Sequence, residues 1–235
     1  MIKFFNLLLF LPLFTNACPN WQAAVENGQT SGWDYQLNPH NIAITNDPLD
    51  TQSQVIKLTL APDSTWPNGH TRTEVKHNGC TTNEGESTFL SWEFFLDKPI
   101  KTLNNIAYWE TDNSYLQSMG FFVTPKIENH KIATELSFFS SLPKRKIHWQ
   151  ERLQIGEWHK IAMAITWSES QQSGHISVWF NHHPALVKLP VQTKPDGNKL
   201  FMQLGLHRNQ AEAAIDSIYL RNVKEVTSLK QLLNK

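Results

Sequence analysis

Cysteine, excess charge and helical periodicity are all scarce in this chain of 235 residues, and each scarcity excludes something. Two cysteines, Cys18 and Cys80, are too few for a disulfide-rich scaffold or a cysteine-based zinc cluster. Lysine and arginine number 21 against 21 aspartates and glutamates, which excludes a broadly basic nucleic-acid binder while leaving room for a local site for an acidic sugar. The ten histidines are scattered without zinc-ligand spacing, and His182-His183 beside Pro184 reads as a turn rather than a metal pair. There is no internal repeat, low-complexity tract or linker. Beyond the first residues no apolar run is long enough to span a bilayer.

The one long apolar run lies at the start. Lys3, the stretch from Phe4 to Phe14 and the small residue at the end of Thr15-Asn16-Ala17 read as a signal peptide over residues 1–17. A secreted or periplasmic protein beginning at Cys18 is therefore expected, as one domain over residues 18–235. In an oxidising compartment Cys18 and Cys80 can pair, tying the N-terminus to the loop at 78–85. Lipid attachment at Cys18 is the alternative, although Thr15 stands where such signals usually carry leucine.

What is abundant is alternation. Residues 41–46, 54–60 and 70–76 alternate as strands, and 89–96 is a heavily apolar strand ended by Asp97-Lys98-Pro99. Further strands are expected at 105–110, 119–123, 134–139, 158–167, 175–181, 200–207 and 214–223. Trp21 to Gly28 reads as a short helical turn, and Thr227 or Ser228 caps a short helix carrying Leu229, Leu232 and Leu233. Many strands with turn residues between them and almost no helical period predict an all-β antiparallel sandwich or barrel with a short C-terminal helix.

Within 70–76 the alternation puts Arg72 and Glu74 on one face. Such a pair serves either as a solvated outer-face ion pair or as a ligand site in which arginine presents a planar fork to a carboxylate. Later strands also have a second face of small, aromatic and polar residues. Tyr108 shares one with Glu110, Lys160 with Ala162, Ala164 and Thr166, His175 with Ser177, Trp179 and Asn181, and Phe201 with Gln203, Gly205 and His207. Those faces suit either a sugar-binding sheet or an ordinary half-solvated one. Glu110-Thr111-Asp112 holds two near-adjacent acids, the pattern of a glycoside hydrolase pair or of a loop at a strand end. Lys144-Arg145-Lys146 is a basic run that would steer an anionic chain or simply be solvated.

The order of motifs resembles the β-jelly-roll polysaccharide lyases, the heparin lyase I-like and glucuronan lyase-like proteins. Arg72-Thr73-Glu74-Val75, the aromatic strand from Phe89 to Leu96 and Ile106-Ala107-Tyr108-Trp109 come first. Gly156-Glu157-Trp158-His159, Ile165-Thr166-Trp167-Ser168 and Gly174-His175-Ile176-Ser177-Val178-Trp179 follow. Leu204-Gly205-Leu206-His207-Arg208 and Ile215-Asp216-Ser217-Ile218 complete the series. The resemblance covers most of the chain and implies a concanavalin A-like jelly roll that cleaves a uronate-containing polysaccharide by β-elimination. That reaction needs a donor for the uronate carboxylate, a base for the α-proton and an acid for the leaving oxygen.

By resemblance Arg72 is the carboxylate clamp, oriented by Glu74. Relatives carry Gln and His where this chain has Tyr108 and Glu110, a polar His/Lys pair where it has Ala164 and Thr166, and Lys and Tyr where it has Gln203 and His207. His207, Tyr108 and Arg72 are then the expected catalytic groups. Arg72, Glu74, Tyr108, Glu110, Trp179, Gln203 and Arg208 are the expected substrate contacts. No cofactor or metal is expected, and the partner implied is an acidic polysaccharide met by a monomer. A non-catalytic carbohydrate-binding domain on the same frame is the alternative reading, because the Lys, Gln and His of relatives are replaced.

Overall fold

The computed structural model describes residues 20–26, 29–128, 130–195 and 197–234. The signal-peptide reading of residues 1–17, and Cys18 with its pairing to Cys80, fall outside them. From the N-terminus the strands are β1 (Trp21–Gln22), β2 (Ala24–Glu26), β3 (Gln29–Ser31), β4 (Tyr35–Leu37), β5 (Ile42–Asp47) and β6 (Asp50–Leu60). Next come β7 (Thr71–His77), β8 (Ser87–Phe95), β9 (Asn104–Thr111), β10 (Gln117–Glu128), β11 (Lys131–Ser140) and β12 (Lys146–Leu153). The last are β13 (Trp158–Thr166), β14 (His175–Phe180), β15 (His183–Pro190), β16 (Leu200–Arg208) and β17 (Asp216–Val226), before the helix α1 (Leu229–Leu233).

Among the described residues these strands make one small hairpin, of β2 with β3, and two large antiparallel sheets. One runs β15-β14-β13-β8-β17-β6-β5, with β1 continuing along β17; the other runs β12-β11-β10-β9-β16-β7-β4. Period-two alternation turns one side of each sheet inward. From the second sheet Val75, Ala107, Trp109, Phe121, Leu136, Leu204 and Leu206 meet Leu58, Leu90, Trp92, Phe94, Ile161, Met163, Ile176 and Leu220 from the first in one core. Trp92 lies at its centre, 5.7 Å from Phe121 edge-on and 6.3 Å from Trp109. Each fully buried Leu, Ile or Phe side chain contributes roughly 1.5–3 kcal/mol, so the stripe that fixes the strand faces also holds the sandwich together.

Trp21–Gln22 and Ala24–Glu26 are short strands, not the helical turn their sequence reads as. Trp21 pairs with Glu225 on β17, and its ring stacks on His77 at 3.6 Å. Long-range pairing overrides a weak local preference here. Two strands, β12 and β15, carry no clear alternation in the sequence. Both sit at sheet edges, where one face is solvated and the pattern is diluted; Ile147 and Val187 are exposed there. The helix is capped as expected by Ser228, whose hydroxyl accepts from the Gln231 N–H, but only Leu232 of its three leucines is buried. Asn181 and His182 adopt left-handed backbone in the β14–β15 hairpin, the turn expected of that segment.

Candidate active site

The outer face of the second sheet carries a groove of about 840 Å³ crossing β4, β7, β16, β9, the start of β10 and the loop between β11 and β12. Its floor is built by alternation. On β7, Thr71, Thr73 and Val75 go to the buried side, so Arg72, Glu74 and Lys76 rise on the other. The ladder brings Gly205 opposite Glu74, His207 opposite Arg72 and Gln203 opposite both Lys76 and Tyr108. Directly opposed residues share a face. Six groups spread over 136 positions of chain are thereby gathered into one patch.

Arg72 is the hub of that patch. Its Nε donates to Glu74 Oε2 at 2.7 Å, and Nη2 donates to the Tyr108 hydroxyl at 2.9 Å and to Gln203 Oε1 at 2.8 Å. The Trp66 ring covers the guanidinium at 5.5 Å. Nη1 takes no partner among the described residues, which leaves one edge of the cation for a ligand. The Gln203 amide in turn donates to Glu110 Oε2 at 2.9 Å. Glu74 is 1 % exposed and Tyr108 0 %, so both are supports under the guanidinium rather than groove surface.

Protonation follows from burial. Burial opposes the Arg72 charge, but Glu74 and Tyr108 hold the guanidinium protonated above its ordinary value. Burial lifts the Glu74 carboxyl against the pull of Arg72. The Tyr108 phenol goes well above its usual range, by burial and then by the Glu74 charge. Burial also pushes Glu110 up to about 7, with Arg72 pulling the other way and Glu74 adding to the rise. His207 is held down to about 3 by burial, Arg72 and His70 in that order, so its ring is neutral at physiological pH. One carboxyl poised near neutrality and one uncharged imidazole beside a fixed cation can move protons next to a bound anion.

Arg72, Glu74, Tyr108, Glu110, Gln203 and His207 are thus brought together, whereas Trp179 and Arg208 are not. Arg208 follows His207 on the strand and turns to the other side, where it bonds Asn104, the Ala214 carbonyl and Asp216 as a buried ion pair. Trp179 lies on β14 in the opposite sheet, paired with Ala162 and lining a separate depression with Lys160 and Leu232. The second faces of 158–167 and 175–181, Ala164 and Thr166 included, likewise belong to that opposite sheet and not to the groove. Parity tells which residues share a face of a strand; it does not tell which sheet the strand joins.

Other groove residues had weaker signals. His70 and Lys76 have the parity of Arg72 and were legible on that ground. His70 Nδ1 lies 3.1 Å from His207 Nε2 with the rings stacked, and the Lys76 ammonium sits 3.8 Å over Phe201, directly across from Gln203. Lys76 therefore places a cation on the groove side directly across from Gln203. Arg145, from the basic run, stacks over Phe139 at 3.9 Å and lines the groove. Trp66, Tyr35 and Tyr115 come from loops and an edge strand that no periodicity marks.

Two stacked antiparallel sheets with a polar, aromatic-edged groove across one outer face make a β-jelly roll. The chain belongs to the polysaccharide lyase family, whose pattern it matches over residues 25–224. Among solved structures it is similar to the endo-β-1,4-glucuronan lyase of Trichoderma reesei, with a TM-score of 0.65 at 17 % identity, covering 89 % of this chain and 94 % of that one. The alginate lyase of Klebsiella pneumoniae gives 0.55 at 9 % identity, over 90 % and 95 % of the two chains. A β-glucanase catalytic domain from Podospora anserina gives 0.54 at 17 % identity, over 92 % and 88 %. At these identities the structures establish the jelly-roll fold, which serves lyases and hydrolases alike. A search of curated proteins returns no match.

Proposed function

We propose that this protein is an exported lyase that cleaves a uronate-containing polysaccharide by β-elimination. The observation that carries the reading is the Arg72 guanidinium, fixed on three protein partners with its Nη1 edge left over, on the floor of a groove that also holds Glu110 and His207. A uronate carboxylate seated on Nη1 has its charge neutralised, which acidifies the adjacent C5–H. Lys76 and Arg145 add positive charge along the groove for neighbouring uronates. Glu110, largely in its acid form up to about pH 7, is the group suited to protonate the leaving glycosidic oxygen. The imidazole side of the patch, His207 with His70, receives the C5 proton. Tyr108 serves by aligning Arg72. Export through residues 1–17 and a Cys18–Cys80 disulfide belong to the same proposal.

The test is a panel of glucuronan, alginate, pectate, heparin and hyaluronan, read by the ultraviolet absorbance of the unsaturated product. A rise on one polymer that scales with enzyme concentration is expected; a folded protein that gives none overturns the reading. A second reading, a non-catalytic carbohydrate-binding domain, is favoured by one observation: His207 at 2 % exposure and Tyr108 at 0 % lie beneath the groove surface. It expects retention in affinity electrophoresis with no product formed.

A further inference from the structure

The burial of His207 and the position of His70 separate the two imidazoles into different jobs. His207 Nδ1 is buried without a hydrogen bond among the described residues, and so is Asn105 Oδ1. These two atoms belong to residues directly opposite each other in the β9–β16 ladder, hence on one face with neighbouring side chains. A ring N–H and an amide carbonyl left unpaired at adjacent buried positions complete each other through one bridging water. With that proton on Nδ1, the Nε2 of a neutral His207 is a lone pair. The 3.1 Å contact then runs from His70 Nδ1–H to His207 Nε2. His70 is left with a bare Nε2, which has no hydrogen-bond partner among the described residues and is not among the buried unpaired atoms. His70 lines the groove and is only partly buried.

We propose that His70 is the catalytic base that meets the sugar, held in its Nδ1–H tautomer by the positioning residues His207 and Asn105. This rests on the lyase reading. His70 and Arg72 share a face two residues apart, roughly 6.5–7 Å along an extended chain, the scale of one pyranose ring. C5 carries that carboxylate directly, so a uronate seated on Arg72 holds its C5–H beside the clamp, in the stretch of groove that His70 also lines.

The step balances without a cofactor. His70 Nε2 takes the C5 proton, the C–H electron pair becomes the C4–C5 double bond, and the C4–O bond breaks. The leaving oxygen takes the Glu110 proton and departs as a hydroxyl. Imidazolium and carboxylate then reset by exchange with water. His207 stays neutral throughout because burial and the Arg72 charge oppose a second proton on it. That neutrality keeps its Nε2 able to accept.

Three measurements on the full chain decide the matter. Nitrogen-15 long-range NMR of the free protein is expected to find both His70 and His207 as Nδ1–H tautomers; an Nε2–H on His70 overturns the assignment. His70→Ala is expected to lower kcat by about 100-fold or more with KM within a few-fold, and added imidazole is expected to restore part of the rate. Asn105→Ala is expected to move the His70 tautomer signal and lower kcat by about tenfold, with Asn105→Asp recovering it. If His70→Gln, which keeps a polar side chain of similar reach, retains more than half of the wild-type kcat, His70 is not the base and the lyase reading stands. If the wild-type protein forms no product on any polymer of the panel, the lyase reading falls and this assignment falls with it.

Discussion

The Arg72 Nε–H and Glu74 Oε2 meet at 2.7 Å, and the carboxylate half of that pair is 1 % exposed while the cation reaches the groove. Site and scaffold are therefore joined in one residue. Removing the side chain deprives a buried carboxylate of its counter-ion and leaves the Tyr108 hydroxyl and the Gln203 carbonyl without their donor.

Arg72→Ala is accordingly expected to lose about 3 kcal/mol of stability as well as ligand. Arg72→Lys keeps the charge but cannot serve Glu74, Tyr108, Gln203 and a ligand together. It is expected to lower polymer affinity or turnover by about 10- to 100-fold, the value of a charge-assisted hydrogen bond. Melting curves measured beside affinity electrophoresis check both. An Arg72→Ala protein that melts like wild type and binds as well removes Arg72 from both roles.

Glu110 gives a pH signature with a definite sign. Its folded pKa, about 7, lies above the ordinary carboxyl value, so the folded state holds a proton that the unfolded chain has lost. Stability therefore falls as pH rises from about 4.3 through about 7. The full shift corresponds to roughly 3 kcal/mol, and solvent at the groove mouth reduces this to on the order of 1–2. Glu110→Gln keeps an acceptor for the Gln203 amide and carries no titrating group. Its melting temperature is expected to match wild type near pH 4 and exceed it by pH 8.5. If Glu110 is the acid, wild-type turnover falls over the same interval; a turnover that rises through pH 7 assigns the acid elsewhere.

The Arg72 face was legible because a strand's period is two and the β-branched Thr71, Thr73 and Val75 alternate with the charged Arg72, Glu74 and Lys76. The core strands were legible for the same reason: Trp92, Phe94, Ile161, Met163, Leu204 and Leu206 alternate cleanly. The rest depended on which strands become neighbours. Trp179 and Arg208 both have good local parity and lie elsewhere, one in the opposite sheet and one on the inner side of its own. The pairing of His70 with His207 is not legible locally although His70 shares Arg72's parity, since nothing near residue 70 shows that residue 207 arrives 3.1 Å away. Edge strands β12 and β15 escaped because half-solvated edges need no apolar stripe.

Arg208 provides the contrast to Arg72. Its guanidinium bonds Asp216, Asn104 and the Ala214 carbonyl, with both charged partners buried and neither of them lining the groove. Arg208→Ala leaves Asp216 uncompensated and is expected to destabilise by about 3–5 kcal/mol, lowering the melting temperature by on the order of 10 °C. Polymer affinity of the folded fraction should be unchanged. Lost affinity in a protein that is still fully folded would place Arg208 in the site after all.

Gly205 tests how tightly the floor of the groove is built. It lies between Gln203 and His207 on β16, at φ +143, where that strand bulges against β9 between Leu204 and His207. A Cβ there would stand 2.3 Å from the Thr73 carbonyl oxygen and 2.8 Å from the Glu74 Cα, both backbone atoms that cannot swing aside. Gly205→Ala therefore adds backbone strain to overpacking, together on the order of 2–4 kcal/mol. Relief requires β16 to move away from β7, which pulls His207 from His70 and Gln203 from Arg72. The control is Gly156→Ala, at φ +84 with open space around the new Cβ, where only backbone strain of about 1 kcal/mol applies. Gly205→Ala is expected to melt well below Gly156→Ala and to lose polymer affinity at temperatures where it remains folded. Equal melting curves for the two variants would mean that β7 and β16 can separate freely, and that the Arg72 patch does not depend on their close approach.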